Sequence, residues 1–583
     1  MFTRQCQLNL QWEHPLRLEA VEVWLSTCFG LAGHVDFSID EDDASSRVRA
    51  WLSQATALQM VVLQAAQVPL LQPALVSEVC PPGEEVPFWR VQFNFHNPHA
   101  LAEDLLRDTL IRALKLLSWM VDHPVEQSEH RRHLFESLER EWIQPLRNQQ
   151  MGGGSTLPLL RAAHGLQIPV VSLGNGLFQF GWGCRSVRLH RSASQHDAAL
   201  GALVTQDKAW TCITLRAGGF PVTEHHVVKS ADEALQVARG LGWPVVIKPV
   251  DRDRGEGVTT HVDSDLGLVS AFECARMAAG RTLALVEKQV EGYCHRLLVA
   301  RGRLLYAVER RPVTVEGDGV RTIRDWVADH NERLSWMPPW TVEKPMAFDE
   351  AMRAYLGRQG MSLDTIPALG VAVPLRPFDS MAWGGQDVDM TASLHPENRR
   401  LAERVATFLG LEVAGVDLIS PDIGVPWYQN GARINEVNFA PMLGIWPISG
   451  QYLPEFFRRL CPQAGRIPVR LMCGDATVWS RMVADQQRAF SEGNPCHMTR
   501  CDHTLEPDGS VLPMISTRLG QRCEALLLNQ QVQALWVVMT DPGELDDGIG
   551  VDRFDSIGLV VEDPLNRKIW ESVLVRHGLA GFG

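Results

Sequence analysis

The chain has 583 residues, of which 45% are apolar and 21% charged, and its formal net charge is −14. Domains typically hold about 100–200 residues, so this length predicts several domains, each able to bury its own core. The composition excludes a disordered or coiled-coil chain, and no apolar run reaches the ~20 residues of a membrane helix. The acidic balance argues against nucleic-acid binding, which needs a basic face. We expect a soluble, cytoplasmic, multi-domain protein with no membrane or nucleic-acid partner.

In chain order, helical periodicity over residues 100–120 and 130–142 predicts two helices near the N-terminus. A glycine-rich break at 152–154 marks the first boundary, and strands and helices alternate beyond it, with helices predicted over 232–241 and 395–409. The predicted strands are 167–173, 243–249, 282–288, 303–310, 412–419, 467–472, 534–539 and 556–561. This pattern indicates a mixed α/β (α+β) fold divided into 1–150, 151–462 and 463–583.

Lysine is scarce, because only seven of the 55 basic residues are Lys and the others are Arg. A chain that otherwise uses Arg keeps Lys where a compact ammonium group matters. Lys208 begins a predicted helix, Lys248 ends a strand and Lys288 ends another, so each occupies a position where a strand or helix meets a loop.

Two segments suggest a nucleotide site. Lys248 is followed by a loop that contains Gly255 and Gly257, which can place a positive charge and free backbone N–H groups against phosphates. Farther along, Glu287-Lys288-Gln289-Val290 leaves an apolar strand and offers polar groups and an apolar side chain to an adenine ring. Taken singly, the same residues also fit an ordinary turn and solvated charges.

A third group of side chains suggests a metal site. Asp417 lies on one predicted strand, and Glu436 and Asn438 lie on the next. These are hard oxygen ligands, the type that Mg²⁺ prefers where it also bridges phosphates. The pattern therefore predicts Mg²⁺, with two ions possible, acting together with a nucleotide.

The order and spacing of these segments resemble the ATP-grasp superfamily, whose members join a carboxylate to an amine through an acyl phosphate. More specific motifs are similar to those of the cyanophycin synthetase family. They are Gly154-Ser155-Thr156, Gln179-Phe180-Gly181-Trp182-Gly183, Lys248-Pro249, Gly317-Asp318-Gly319-Val320, His395-Pro396-Glu397-Asn398 and Glu436-Val437-Asn438-Phe439-Ala440-Pro441. The resemblance implies a family-type N-terminal domain over 1–150 and an ATP-grasp domain over 151–462.

The resemblance also implies roles for individual residues. Lys208 and Lys248 would contact the ATP phosphates, and Glu287, Lys288 and Val290 would hold adenine. Arg310 would stabilise charge at the acyl phosphate or at a substrate carboxylate. The metal ligands would be Asp417, Glu436 and Asn438. Family members also suggest a homo-oligomer.

The sequence departs from the family in two places. The Mur-ligase-like module of cyanophycin synthetase opens with a phosphate-binding loop, whose Lys and hydroxyl positions are here Val478 and Trp479. We therefore expect 463–583 to be a degenerate, truncated remnant without a second active site. In the ATP-grasp region the unusual residues are Gly176, Arg252, Cys294 and Trp383.

Two hypotheses follow. In the first, the chain is an ATP-dependent carboxylate–amine ligase that joins an amino acid to a peptide or cyanophycin-like carboxylate at one ATP-grasp site. In the second, it is a catalytically impaired paralogue that binds ATP or polymer and serves as a regulatory or structural partner of a full-length cyanophycin synthetase. The substitutions at Gly176 and Trp383 favour the second, and the retained lysines and carboxylates favour the first.

Overall fold

A computed structural model describes residues 3–11, 17–31, 43–83, 87–96, 101–147, 152–250, 257–279, 283–338, 340, 345–376, 385–545 and 548–579, without the side chains of residues 3, 4, 96, 279 and 351. Helices and strands alternate in separate hydrophobic cores, so the predicted mixed α/β, multi-domain class is confirmed. Among the helices of these residues, none is both long enough and apolar enough to cross a membrane.

The N-terminal region packs helices on a three-stranded antiparallel sheet of order β1-β3-β2. Its elements are β1 (Thr3–Leu10), α1 (Leu18–Phe29), α2 (Ala44–Ala65), β2 (Leu75–Cys80), β3 (Trp89–His96), α3 (Glu103–Asp122), α4 (Ser128–Leu138), a π-helix (Glu139–Ile143) and α5 (Gln144–Arg147). Trp24, Trp51 and Phe93 are buried at its centre. This core is separate from those of the following regions because its buried residues contact one another and not the later sheets.

A sheet of four short strands, in the order β4-β5-β6-β7, and three helices follow. These elements are α6 (Thr156–Gly165), β4 (Val170–Ser172), β5 (Leu177–Phe180), β6 (Val187–His190), β7 (Ala193–Ser194), α7 (Ala199–Thr205) and α8 (Lys208–Ala217). Helix α8 begins at Lys208 as predicted, because the Asp207 side chain accepts a hydrogen bond from the Trp210 N–H and caps the helix.

The next unit is a four-stranded antiparallel sheet of order β10-β9-β11-β8, which we call the small sheet. Its elements are β8 (His225–Val228), α9 (Ala231–Leu241), β9 (Val245–Pro249), β10 (Thr259–Val262), α10 (Asp265–Ala279) and β11 (Ala284–Lys288). Ile247, Val286 and Phe272 pack between one face of this sheet and the helices. Because strand side chains alternate, Lys248 and Glu287 lie on the opposite face.

A five-stranded antiparallel sheet, the large sheet, has the order β16-β13-β12-β17-β18. Its elements and those inserted between them are β12 (Tyr293–Ala300), β13 (Arg303–Arg311), β14 (Thr314–Glu316), α11 (Ile323–Ser335), α12 (Glu350–Arg358), β15 (Ala372–Pro374), β16 (Gln386–Asp389), α13 (Pro396–Leu409), β17 (Val413–Ser420), α14 (Trp427–Asn430), β18 (Arg433–Phe439), α15 (Pro447–Gln451) and α16 (Leu453–Leu460). Leu401 and Val405 of α13 pack on Leu297 and Val416, which closes one face.

The C-terminal region contains β19 (Val469–Gly474), α17 (Thr477–Ser491), β20 (His497–Thr499), β21 (Thr504–Leu505), α18 (Leu519–Leu528), β22 (Leu535–Met539), β23 (Ser556–Val560) and α19 (Pro564–Arg576). Strands β20, β22, β19 and β23 are parallel neighbours. After β19, Asp475 accepts hydrogen bonds from Thr477, Val478 is fully buried, and Trp479 lies under the Arg500 guanidinium. The side chains at the expected phosphate-loop positions are thus used in packing.

All the predicted helices and strands are present, with small shifts of their ends. Many other elements were not predicted; in the large sheet these are β12 and β16. In β12 a basic residue, Arg296, interrupts the apolar alternation, and β16 is only four residues long and has no apolar pattern.

A glycine inside α7 gives a prediction about stability. A Cβ on Gly201 would lie 1.8 Å from the Leu409 carbonyl oxygen, so Gly201→Ala must push α7 away from the end of α13. We expect it to lower the free energy of unfolding by about 1–3 kcal/mol. Gly240→Ala, in the exposed end of α9 with nothing within 4 Å of the added carbon, is the control. Thermal melting should show a fall for the first variant and no loss for the second; equal melting temperatures would contradict the packing argument.

Candidate active site

The charged face of the small sheet is built around a buried lysine. Lys248 and Glu287 are 8% and 4% exposed, and the Lys248 Nζ lies 2.8 Å from Glu287 Oε1. Burial opposes the charge on Lys248, but Glu287 outweighs this effect and raises the pKa of the ammonium group. Lys248 therefore stays charged although it is buried.

Lys248 also reaches across to the large sheet. Its Nζ lies 3.5 Å from Asn435 Oδ1 on β18. The strand register between β17 and β18 shifts beside Asn435, and such a bulge re-aims one side chain out of the regular alternation. A short backbone link holds the sheets in place, since the Thr223 N–H donates to the Ile434 carbonyl and the Ile434 N–H donates to Pro221. The structure thus brings the predicted phosphate-binding lysine to the edge of the predicted metal site.

The large sheet presents alternating charges to this cleft. Arg296, Asp417 and Glu436 are direct cross-strand neighbours on β12, β17 and β18. One row away, Asp387 and Arg310 are neighbours on β16 and β13. All five side chains share one face of the sheet because residues paired in register point to the same side.

Asp417 is the most strongly held of these groups. It is 3% exposed, and both of its oxygens accept hydrogen bonds from the Arg296 guanidinium, one of them at 2.8 Å from Nη2. Asn438 Nδ2 also donates to Oδ2 at 3.3 Å, and Arg310 Nη1 lies 3.8 Å from the same oxygen. Burial opposes ionisation, but the two guanidinium groups outweigh it and lower the pKa of Asp417.

Glu436 shows the opposite behaviour. Burial and the neighbouring carboxylate of Asp417 raise its pKa. Lys208 lies close enough to reduce this rise, and so does Lys248, which places both predicted phosphate-binding lysines near the carboxylates. The pKa values of the two neighbouring carboxylates are therefore shifted in opposite directions.

The residues present fit Mg²⁺. Asp417, Glu436 and Asn438 supply hard oxygen atoms, and a carboxylate has about four lone-pair sites, so the oxygens of Asp417 can accept from Arg296 and still face a cation. Burial and the adjacent Asp417 carboxylate raise the pKa of Glu436, and a cation bound between the two carboxylates would offset their repulsion.

The structure says less about the residues predicted to bind adenine. Lys288 Nζ donates to the backbone carbonyls of Gly242 and Trp243, at 2.8 and 3.2 Å, so its ammonium fixes the turn before β9. Glu287 is engaged by Lys248, and Val290 is half-buried beyond the end of β11. These three residues share one edge of the small sheet, and their contact with adenine stays a prediction.

Of the predicted glycine loop, Gly255 lies outside the described residues, as do Arg252 and Trp383. Gly257 has a φ of +71°, and a Cβ there would meet Ala278 at 2.6 Å. Gly176 has a φ of +76° and approaches the Gly152 backbone, where a Cβ would lie 2.5 Å from the Gly152 Cα. A side chain at Gly176 would therefore be strained, which gives the glycine a structural reason in addition to any lost substrate contact.

The sequence analysis missed Arg296, Asn435 and Asp387. Arg296 is the main partner of Asp417 and is 11% exposed. A basic residue directly before the apolar run from Leu297 to Ala300 was a usable signal, because charges are seldom buried unless they are paired. Asn435 and Asp387 had no such signal, since only the bulge and the sheet order place them at the cleft.

The two sheets, with a buried lysine on one and paired carboxylates on the other, define the chain's central fold as that of the ATP-grasp class. No protein-family model matches the chain. The chain is a homologue of cyanophycin synthetases: it is 33% identical to that of Geminocystis herdmanii over 316 residues, which are 54% of this chain and 36% of the relative. To the cyanophycin synthetase of Trichormus variabilis it is 31% identical over 421 residues, covering 70% of this chain and 46% of the relative.

The chain thus spans between about a third and a half of the length of these relatives. Among solved structures, a bifunctional glutathione synthetase from Pasteurella multocida aligns with a TM-score of 0.41 and 22% identity, covering 71% of this chain and 60% of that one.

Proposed function

We propose that the chain is an ATP-dependent carboxylate–amine ligase with one active site, located between the small and large sheets. The observation that carries the proposal is the meeting of Lys248 with the Asp417 and Glu436 pair across the cleft. An ammonium group beside two carboxylates suits a nucleotide triphosphate bound with a divalent cation, because the lysine neutralises phosphate oxygens that the cation does not reach.

In this proposal, Lys248 and Lys208 bind the ATP phosphates, and Glu287, Lys288 and Val290 surround adenine. Asp417, Glu436 and Asn438 would hold Mg²⁺, which when bound neutralises charge on the phosphoryl group during its transfer. The γ-phosphoryl group passes to a substrate carboxylate, and an amine then displaces phosphate to form the amide. Arg310, on the same face, stabilises charge on the acyl phosphate or on a substrate carboxylate.

The substrates proposed are an amino acid and a peptide or cyanophycin-like carboxylate. This step rests on the similarity to cyanophycin synthetases. The C-terminal region is proposed to act in packing or assembly, since Val478 and Trp479 occupy the positions of a phosphate-binding loop and are packed.

The direct test is release of ADP and phosphate when the protein is mixed with Mg·ATP, each standard amino acid, and either aspartate-containing peptides or cyanophycin. We expect release to require both an amino acid and a carboxylate acceptor, and mass spectrometry to show the new amide. Lys229→Ala, at an exposed lysine outside the cleft, should match the wild type. Mg·ATP binding without any release would reject the ligase.

One feature favours the second candidate, a non-catalytic homologue. Lys248 and Asp417 already have buried partners in Glu287 and Arg296, so the cleft is stable without ligands. Such a protein would bind nucleotide or polymer and act as a homo-oligomer or as a partner of a full-length cyanophycin synthetase. A pull-down with a synthetase from the same cells, together with an absence of turnover, would support it.

A further inference from the structure

A carboxylate with an open hydrogen-bonding position faces the cleft from the edge of the large sheet. Asp387, on β16, is half-buried, and its Oδ1 is buried without a hydrogen-bond partner. Asp389, two residues on, provides a contrast, because its oxygens accept from the Tyr452 hydroxyl at 2.7 Å and from the Thr391 N–H at 2.9 Å. Asp389 is therefore satisfied by the fold, and Asp387 is not.

Arg310, the cross-strand neighbour of Asp387, has a hydrogen-bond donor without a partner. Arg310 is paired with Asp387 in register, and its buried Nε donates to no partner. Among the described residues, no ion pair within 4.0 Å joins these two side chains, and the Arg310 guanidinium reaches toward Asp417 instead. A buried polar atom without a partner is destabilising, so a ligand that satisfies both atoms would be bound favourably.

The charged residues around Asp387 and Arg310 limit which class of ligand can bind to both. A metal ion alone would face the charges of Arg296 and Arg310 and would leave the Arg310 Nε donor without a partner. A ligand with one negative and one positive group matches an open guanidinium donor beside an open carboxylate acceptor. A zwitterionic α-amino acid is the simplest molecule of this kind.

We propose that Asp387 binds the ammonium group of the acceptor amino acid, while Arg310 binds its carboxylate. This inference rests on the proposed ligase function. The ammonium group would lose one proton to the Asp387 carboxylate, and the free amine would then form the bond to the acyl carbon. The bond from that carbon to the phosphate oxygen would break, its electron pair would go to phosphate, and the second nitrogen proton would pass to the leaving phosphate. The products are the amide, hydrogen phosphate and a protonated Asp387. Burial raises the pKa of Asp387, which makes it a better proton acceptor.

Binding of amino acids without turnover tests the proposal. Each standard amino acid is titrated into the protein with and without Mg·ADP and followed by ligand-observed NMR, and each binder is compared with its N-acetyl and methyl ester forms. We expect at least one amino acid to bind and both derivatives to bind about tenfold or more weakly. Asp387→Asn should weaken binding by a similar factor and lose most of the preference over the N-acetyl form.

Asp389→Asn is the matched control, because it removes a carboxylate from the same strand whose oxygens already accept hydrogen bonds from Tyr452 and Thr391. In turnover, Asp387→Asn should lower kcat and raise the KM for the amino acid, leaving the KM for ATP unchanged. Unchanged amino-acid affinity in a folded Asp387→Asn or Asp387→Ser protein would overturn the proposal, as would failure of every amino acid to bind. If Mg·ATP does not bind but amino acids still bind in a way that depends on Asp387, the ligase function would be rejected and the amino-acid subsite would be retained.

Discussion

Removal of the Lys248 ammonium is expected to weaken Mg·ATP binding by about tenfold to a hundredfold, the effect of losing a charge-assisted contact with phosphate. Lys248 is the point at which the small sheet reaches the large one, since its Nζ contacts both Glu287 and Asn435. Calorimetric titration of Lys248→Ala with Mg·ATP measures the change.

The Lys248→Ala experiment must allow for Glu287, the buried partner of Lys248. Lys248→Ala leaves the Glu287 carboxylate, which is 4% exposed, without its counter-ion, and breaking a buried pair in this way costs about 3–5 kcal/mol of stability. Lys248→Met with Glu287→Gln removes both charges and nearly keeps their volume. Glu287→Gln alone and Lys229→Ala serve as controls. Wild-type nucleotide affinity in a folded Lys248→Met/Glu287→Gln protein would show that the nucleotide site lies elsewhere.

Replacement of the paired carboxylates is expected to affect turnover more than binding. Asp417→Asn with Glu436→Gln keeps the shape of both side chains, and the amide introduced at position 417 still offers Arg296 an oxygen acceptor, but the charge that would hold Mg²⁺ is gone. Because a metal ion stabilises charge mainly in the transition state, we expect ADP release to fall by about a thousandfold or more, with a smaller loss of ATP affinity.

The control for this double variant is Asp485→Asn with Glu571→Gln, which makes the same chemical changes on α17 and α19 at side chains that are 42% and 41% exposed. ADP release is measured across a Mg²⁺ titration, because residual metal binding would appear as a shift to higher Mg²⁺. Turnover equal to that of the wild type would mean that Asp417 and Glu436 take no part in chemistry.

Much of this site was predicted from the sequence because its residues lie on elements with strong local patterns. Lys248 ends an apolar strand, and Asp417 lies within the apolar run of β17. Both strands can be recognised from the pattern of apolar side chains in their own residues. The metal-ligand prediction also needed only adjacency of two consecutive strands, β17 and β18, which the structure confirms through the pairing of Asp417 with Glu436.

Other residues could not be found in this way. Asp387 lies on the four-residue strand β16, which joins the sheet beside β13 although the inserted residues 313–376 separate the two in sequence. Asn435 reaches Lys248 only because the register shifts between β17 and β18. Pairing between strands that are far apart in the chain produces no periodic pattern in the sequence.

The sequence by itself determined the mixed α/β class, the positions of several helices and strands, and the residue types that suit a nucleotide and a divalent cation. Local hydrophobic alternation and capping suffice for these, because they depend on neighbours within a few residues. The tertiary structure decided which charges meet: Arg296 with Asp417, Lys248 with Glu287, and an open Asp387 beside Arg310. Such pairings follow from strand order and register, which bring together side chains that lie from 39 to 121 positions apart and can be read only from the folded chain.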